Sequence, residues 1–513
     1  MRESGMLFPV FSLPSKFGIG CFSREAFSFV DFLEQSGQGF WQILPVGPTG
    51  FGNSPYQPFS AFAGNPYFIS PELLIEEGLL TWDEAGGVNF GSDEQQVDYG
   101  ALYENRIPLL KKAYERFLEK GEEKEAYEKF LKKEEFWLKD YALFRALKDE
   151  NEGASWLTWE DALRKREKEA LEEAEKRLKD EIEYVYFEQY EFDKQWTKLR
   201  KYANEKNVKI IGDLPFYVSM DSADAWSCPE VFQMDKDLVP TVVAGCPPDA
   251  FSATGQLWGN PIYDWEGMQK NDYEWWVKRI RRNYEFYDVI RIDHFHGFCD
   301  YYAVPYGDET AQNGTLKEGP GMKLFDVLKK EVKELKEISE EEGFKIIAED
   351  LGNNTPENEK LLKDTGFPGM KVLQYGFTSW DSYYVNHRHT KNSVVYTGTH
   401  DNTPSRAWFE EINDGQRDFA RRYINSMNSD TGQFVWDFIR EAYRSVADLC
   451  IIPLQDYLCE GREARINTPG APDGNWQWRL RPNYLSNELA QSIRGLTELY
   501  SRIPKEKKEQ EEV

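Results

Sequence analysis

Three short segments of this chain each end a run of β-branched residues in groups that can move protons or charge. Asp288–Phe298 (DVIRIDHFHGF) passes from Val289, Ile290 and Ile292 into Arg291, Asp293, His294 and His296. Residues 345–350 (KIIAED) end in Glu349 and Asp350, and residues 393–401 (SVVYTGTHD) end in His400 and Asp401. Buried parallel strands read this way, with polar groups delivered at their C-terminal ends. Two carboxyl groups on neighbouring strand ends can stand about 5–5.5 Å apart, the separation used in retaining glycoside chemistry. One carboxylate then attacks the acetal carbon; the other protonates the leaving oxygen and later deprotonates the acceptor. Asp293 and Glu349 form such a pair. The two roles need different environments. Arg291, two residues before Asp293 and so on the same strand face, would hold Asp293 ionised. Asp350 would push the Glu349 pKa upward unless strand alternation points it away. Two other readings stand beside this one. The carboxylates can be structural ion pairs at a barrel mouth, and His294, His296 and His400 can join them as metal ligands. Against the metal, HxH in barrel hydrolases usually sits on the first strand, whereas His294 is the first histidine of this chain. His387 and His389 read as surface residues.

The elements that must position these groups repeat one pattern. Residues 208–215 (VKIIGDLP) give a fourth strand ending at Asp213, and residues 39–45, 371–376 and 449–456 give three more. A weaker signal at residues 67–70 makes eight. Helical spacing between several of them, as in residues 27–34 and 273–287, completes a βα alternation and predicts a (β/α)₈ TIM barrel with its site at the strand C-termini. Residues 1–70 form the first part of the barrel. Their turn-rich segment after the first strand places Ser54, Tyr56 and Gln57 where a barrel keeps binding groups. Residues 71–206 are rich in Lys, Glu and Arg, with apolar residues at helical spacing (Ile107, Leu110, Tyr114, Phe117, Leu118; then Leu171, Ala174, Leu178, Ile182, Val185), and read as a mainly helical insertion without chemistry. Residues 207–500 carry the rest of the barrel, including a shaped, partly mobile lid loop at 244–261 around Trp258. Residues 501–513 are a charged tail.

Composition narrows the partners. The 513 residues carry 62 basic and 89 acidic side chains, a net charge of -27, which argues against nucleic acid or an anionic membrane. Aromatic residues make up 15%, enough for a core and for a groove that stacks on sugar faces. The six cysteines show no C-x-x-C pair, the N-terminus lacks a signal-peptide core and no stretch approaches membrane-spanning length, so a cytoplasmic enzyme is expected. Phosphate-loop, dinucleotide, serine-hydrolase and HExxH motifs are absent.

RIDHFHGF, IIAEDLG and GTHDN together resemble the three catalytic segments of the 4-alpha-glucanotransferases, the amylomaltases or disproportionating enzymes of the α-amylase clan. SLPSKFGIG, WQILPVGPTGFGNSPYQPFSAFAGNPYFIS, IIGDLPFYV, PPDAFSATGQLWGNP, GFPGMKVLQYGF and RINTPG…GNWQWR are similar to family segments in the same order, over about residues 2 to 480. The resemblance implies a (β/α)₈ barrel with helical insertions and no separate C-terminal β-domain. It implies transfer of α-1,4-glucan segments by double displacement, with a plain α-1,4-glucan hydrolase as the alternative. By position Asp293 would be the nucleophile, Glu349 the general acid/base and Asp401 the carboxylate that holds hydroxyls of the distorted sugar. Arg291, His400 and Asp213 would line the donor subsite, and Ser54, Tyr56, Gln256, Trp258 and Asn467 would contact substrate. The lid would limit the access of water. No metal or organic cofactor is expected. The sequence departs from the family at His296 (often Arg), Thr403 (often Asp), Leu316 (Trp) and Ala250 (often Tyr); the last two bear on chain-length preference and on the ratio of transfer to hydrolysis.

Overall fold

The computed structural model describes residues 2–50, 52–248, 252–336, 344–352, 355–427, 430–471 and 473–505. Twelve strands occur among them: β1 (Glu3–Leu7), β2 (Phe40–Gln42), β3 (Lys209–Leu214), β4 (Val242–Cys246), β5 (Gln256–Pro261), β6 (Val289–Ile292), β7 (Asp300–Pro305), β8 (Thr315–Glu318), β9 (Ile346–Ala348), β10 (Gly369–Val372), β11 (Ser393–Tyr396) and β12 (Leu449–Pro453). Eight of these close a parallel barrel in the order β1-β2-β3-β6-β9-β10-β11-β12, and β12 returns to β1. Helices alternate with the barrel strands, among them Arg24–Gln35, Lys179–Glu205, Glu274–Phe286 and Met322–Glu331. The architecture is the expected (β/α)₈ barrel.

Period-two alternation sorts each barrel strand into an inner and an outer row. Ile211, Val289, Ile347, Met370, Val394 and Leu449 point inward and pack together as the barrel interior. The same parity carries forward to Asp213, Arg291, Asp293 and Glu349, which therefore rise from the apolar floor toward the barrel mouth. Polarity enters one layer up, where the Tyr396 hydroxyl donates to Gln42 Oε1 at 2.9 Å.

The structure corrects the eighth strand. Residues 67–70 form no strand: the Asn65 side chain accepts from Tyr67 N, Pro66–Phe68 form a short 3₁₀ turn, and Ser70 caps the helix that follows. The missing strand is β1, whose polar stretch ESGML pairs residue for residue with Leu449–Pro453. It is pinned from the far end of the chain. Arg502, assigned by sequence to the charged tail, is buried and donates to the carbonyls of Glu3, Tyr443, Ser445 and Ala447. The strand expected at 371–376 begins earlier, at Gly369, and gives way to 3₁₀ turns over Leu373–Thr378.

Residues 71–205 contain helices, the longest being Tyr99–Lys120, Lys124–Glu150 and Lys179–Glu205. Leu118 is exposed rather than on the packed face, and Leu178 caps the last of these helices instead of lying within one. Gly64 lets the loop after β2 lie directly on Lys179–Glu205. A Cβ there would meet the Phe192 ring at 2.2 Å, and the Gln189 side chain bonds both the N–H and the C=O of Gly64.

A second sheet was not anticipated. The loops after β3 and β6 supply a four-stranded antiparallel sheet in the order β5-β4-β7-β8. The segment read as a shaped, partly mobile lid loop at 244–261 is thus largely the β4–β5 hairpin, with Gly245 opposite Leu257 and Cys246 opposite Gln256. Residues 249–251 of the lid, Ala250 among them, lie outside the described residues, as do residues 506–513 of the tail.

Candidate active site

Asp213 and Arg291 are register partners on β3 and β6, so their inward side chains meet inside the barrel. Arg291 Nη1 contacts both Asp213 oxygens at 2.6 and 2.7 Å and Asp293 Oδ1 at 3.1 Å. One guanidinium thereby holds two carboxylates. Burial pushes the Asp213 carboxyl upward and Arg291 pulls it back. The Tyr56 hydroxyl donates to Asp213 Oδ2 at 2.9 Å, which brings the loop after β2 over the same point. Ser54 shapes that loop, its Oγ accepting from Tyr56 N at 3.3 Å.

Glu349 follows β9, the neighbour of β6. Its carboxylate accepts two backbone N–H bonds, His294 N to Oε2 at 2.9 Å and Leu351 N to Oε1 at 2.8 Å. His294 adopts a left-handed backbone (φ 48°), a conformation that non-glycine residues rarely take and that recurs where a site dictates the chain path. Burial, and after it the charge of Asp293, pushes the Glu349 pKa up to about 8. Asp350 is not the cause. It has the opposite parity, accepts from Met370 N at 2.6 Å and faces Lys371 Nζ at 3.8 Å.

The sign of the Glu349 shift gives a stability prediction. A carboxyl that stays protonated when folded favours folding at low pH, and that contribution is lost as pH rises from about 4.5 to about 8, because the unfolded chain ionises first. Glu349→Gln has no such dependence. Its melting temperature relative to the parent should climb by a few degrees through that window and level off above it; a difference constant with pH, read by calorimetry, would contradict the raised value.

Asp401 lies five residues past β11, in a turn held by several contacts. Thr399 N and Oγ1 both donate to Asn402 Oδ1 at 2.9 Å. Asn467 Nδ2 donates to Asp401 Oδ1 at 2.7 Å, and His400 Nε2 lies 3.3 Å from the same oxygen. The His400 ring stacks on Tyr56 at 5.2 Å, so the loops after β2 and β11 meet across the mouth. From the antiparallel sheet, Trp258 sets its ring edge-on to His294 at 5.1 Å and donates from Nε1 to Gln256 Oε1 at 3.2 Å; Gln256 itself is exposed on the hairpin. The eleven residues to which the family resemblance gives a role therefore fall on this mouth or on the hairpin beside it.

The three histidines of the metal reading do not converge: His400 packs on Tyr56, while burial among Phe216, Tyr217 and Trp258 lowers the His294 pKa to about 4. Among the described residues no three His, Cys, Asp or Glu side chains are grouped to hold a metal ion. His387 is exposed as expected. His389 is not; it is buried, within 2.8 Å of Ser445 Oγ and 3.0 Å of the Tyr384 carbonyl oxygen.

Residues 8–486 match the family model described as 4-alpha-glucanotransferase. The chain belongs to the 4-alpha-glucanotransferase family. It is 47% identical to the 4-alpha-glucanotransferase of Clostridium butyricum over 494 residues, covering 96% of this chain and 99% of that one. With the Thermus thermophilus 4-alpha-glucanotransferase the identity is 41% over 510 residues, at 98% and 99% coverage. Among solved structures, the amylomaltase of Streptococcus agalactiae in complex with acarbose superposes with a TM-score of 0.93 at 40% identity, covering 98% of this chain and all of that one. A Corynebacterium glutamicum amylomaltase, 20% identical with a TM-score of 0.75, shares the fold over 98% of this chain and 75% of its own.

Sequence reasoning missed a clamp. Arg465 donates to the Asp401 carbonyl at 2.9 Å, to the Asn467 carbonyl at 2.7 Å and to Thr403 Oγ1 at 2.7 Å, fixing three residues of the mouth at once. Thr403, a departure from the family pattern, is thus an acceptor within this clamp. Trp476, also missed, lies 5.7 Å from Tyr56 and 6.1 Å from His400, ring to ring. Leu316 stands 63% exposed on β8, and His296 Nε2 is buried with no hydrogen-bond partner among the described residues.

Proposed function

We propose that this protein transfers a segment of an α-1,4-glucan to the 4-OH of glucose or of another glucan by a retaining double displacement. The observation that carries the mechanism is the contrast between two neighbouring carboxyls: Asp293 sits against Arg291, while burial and Asp293 raise Glu349 into the range of a proton donor. Asp293 attacks the anomeric carbon as Glu349 protonates the departing oxygen. Glu349, now a base, takes the proton of the incoming 4-OH, and the sugar returns with its configuration retained. Asp401, oriented by Asn467 and His400, holds hydroxyls of the distorted ring. Asp213, Arg291, His400 and Tyr56 line the donor subsite, with Ser54 supporting Tyr56. Trp258, Gln256 and Asn467 contact the glucan, and the β4–β5 hairpin restricts water, which favours a sugar acceptor over hydrolysis.

The relatives' names support transfer, and the acarbose complex of the Streptococcus agalactiae amylomaltase supports a carbohydrate ligand. We place the enzyme in the cytoplasm, acting on maltooligosaccharides and on starch- or glycogen-type glucans. All six cysteines are free, and no helix among the described residues is long and apolar enough to cross a membrane. Incubation with maltotriose and EDTA tests the reading. A ladder of longer oligosaccharides plus glucose, at constant reducing ends, is expected; reducing ends that rise without longer products would make the protein a hydrolase.

A further inference from the structure

The loop after β10 has no assigned role, yet three of the large exposed apolar side chains, Tyr375, Trp380 and Tyr383, fall within it. Trp380 is 78% exposed. An aromatic cluster on a barrel's C-terminal rim is unusual unless something flat and partly apolar covers it. The loop is ordered by its own bonds. Ser382 Oγ donates to the Tyr375 carbonyl at 3.0 Å, the Ser379 hydroxyl bonds Asp381, and buried His389 contacts the Tyr384 carbonyl oxygen at 3.0 Å. It is also continuous with the catalytic mouth. The Tyr375 hydroxyl accepts from Asn402, the neighbour of Asp401, at 3.1 Å, and Tyr384 links Tyr375 to Tyr383 through ring contacts of 5.5 and 6.2 Å.

Topology says which side of the mouth this is. In the closed ring of eight strands β10 lies between β9, which delivers Glu349, and β11, and it is diametrically opposite β2, whose loop brings Tyr56 to the donor residues. The loop therefore lies on the side from which Glu349 meets the leaving and accepting oxygen. We propose that Tyr375–Tyr384 is an outer acceptor-side platform for α-1,4-glucan, with the Trp380 indole stacking on a glucose unit beyond those next to Glu349. The proposal rests on the transferase reading above.

Its test uses the full-length parent, Trp380→Ala and Trp380→Phe, with maltotriose as donor and either glucose or reducing-end-labelled maltopentaose as acceptor. The ratio of KM for maltopentaose to KM for glucose should rise about three- to tenfold in W380A, the range for losing one aromatic stacking contact, and fall back most of the way in W380F. An unchanged ratio, or equal weakening for both acceptors, would overturn the platform while leaving the transferase reading intact. Light scattering supplies a second arm: if W380A changes the oligomeric state, the loop is covered by another copy of the chain and the proposal fails. A parent that makes no transfer product would take both readings down together.

Discussion

Asp293→Asn is expected to abolish measurable transfer, with a loss of about four orders of magnitude or more, because no other group replaces a covalent nucleophile. Glu349→Gln should cost about three orders with maltotriose, in the middle of the range for one general acid–base residue. A diagnostic difference separates the two. An α-glycosyl fluoride donor leaves without protonation, so Glu349→Gln should still form the glycosyl-enzyme from it, visible by mass spectrometry as an adduct on Asp293. Asp293→Asn should form none from any donor. Losses under tenfold in both variants, with either donor, would remove Asp293 and Glu349 from the chemistry and leave them as ion-pair scaffolding. The raised Glu349 value adds a pH dependence: transfer should decline as pH climbs through about 8, where the proton needed by the leaving oxygen is lost.

Arg291→Met is expected to lose about 3–5 kcal/mol of stability, the usual result of removing one partner from a buried ionic group. Here two carboxylates would lose the cation they share, since Arg291 reaches Asp213 and Asp293 at 2.6 and 3.1 Å. Removing the cation should raise Asp213 further, so the deficit should shrink in acid, where that carboxyl is protonated, and widen as pH rises. Asp213→Asn on top of Arg291→Met should restore part of the loss, because the amide carries no charge to bury. Denaturant midpoints of the parent, Arg291→Met, Asp213→Asn and the double variant measure this. A deficit below about 1 kcal/mol, or a double variant no better than Arg291→Met alone, would show that the guanidinium is not what keeps these carboxylates in place.

Much of this site is legible in the sequence because parallel-strand alternation is strict. Once Ile211, Val289 and Ile347 are read as inward, Asp213, Arg291, Asp293 and Glu349 follow by parity, and Asp350 is turned away by the same rule. The illegible parts fail for separate reasons. The ESGML of β1 carries no apolar run, since Gly5 packs under the Phe40 side chain and Glu3 is buried against the end of the chain; its strand character comes entirely from β12 and β2. The 3₁₀ turns of Leu373–Thr378 bury Leu373 and Phe377 and so imitate a strand. The strand Thr315–Glu318 is exposed throughout and gives no hydrophobic pattern at all. Arg465 is distant in sequence from Asp401 and Thr403, and only the folded chain brings their carbonyl and hydroxyl oxygens to its guanidinium.

The pairing of β1 with β12 also sets a clock. The strand Glu3–Leu7 is made long before one of its two partners, Leu449–Pro453, and Arg502 follows later still. At 5–20 residues per second, roughly 440 residues of synthesis separate the two strands, a wait of about half a minute to a minute and a half. Throughout that interval one edge of the nascent sheet is unpaired, with its N–H and C=O groups open to any extended chain nearby. Stalled translation or loss of the segment around Arg502 should therefore show itself first as aggregation during synthesis, before any change in the turnover of molecules that complete the ring.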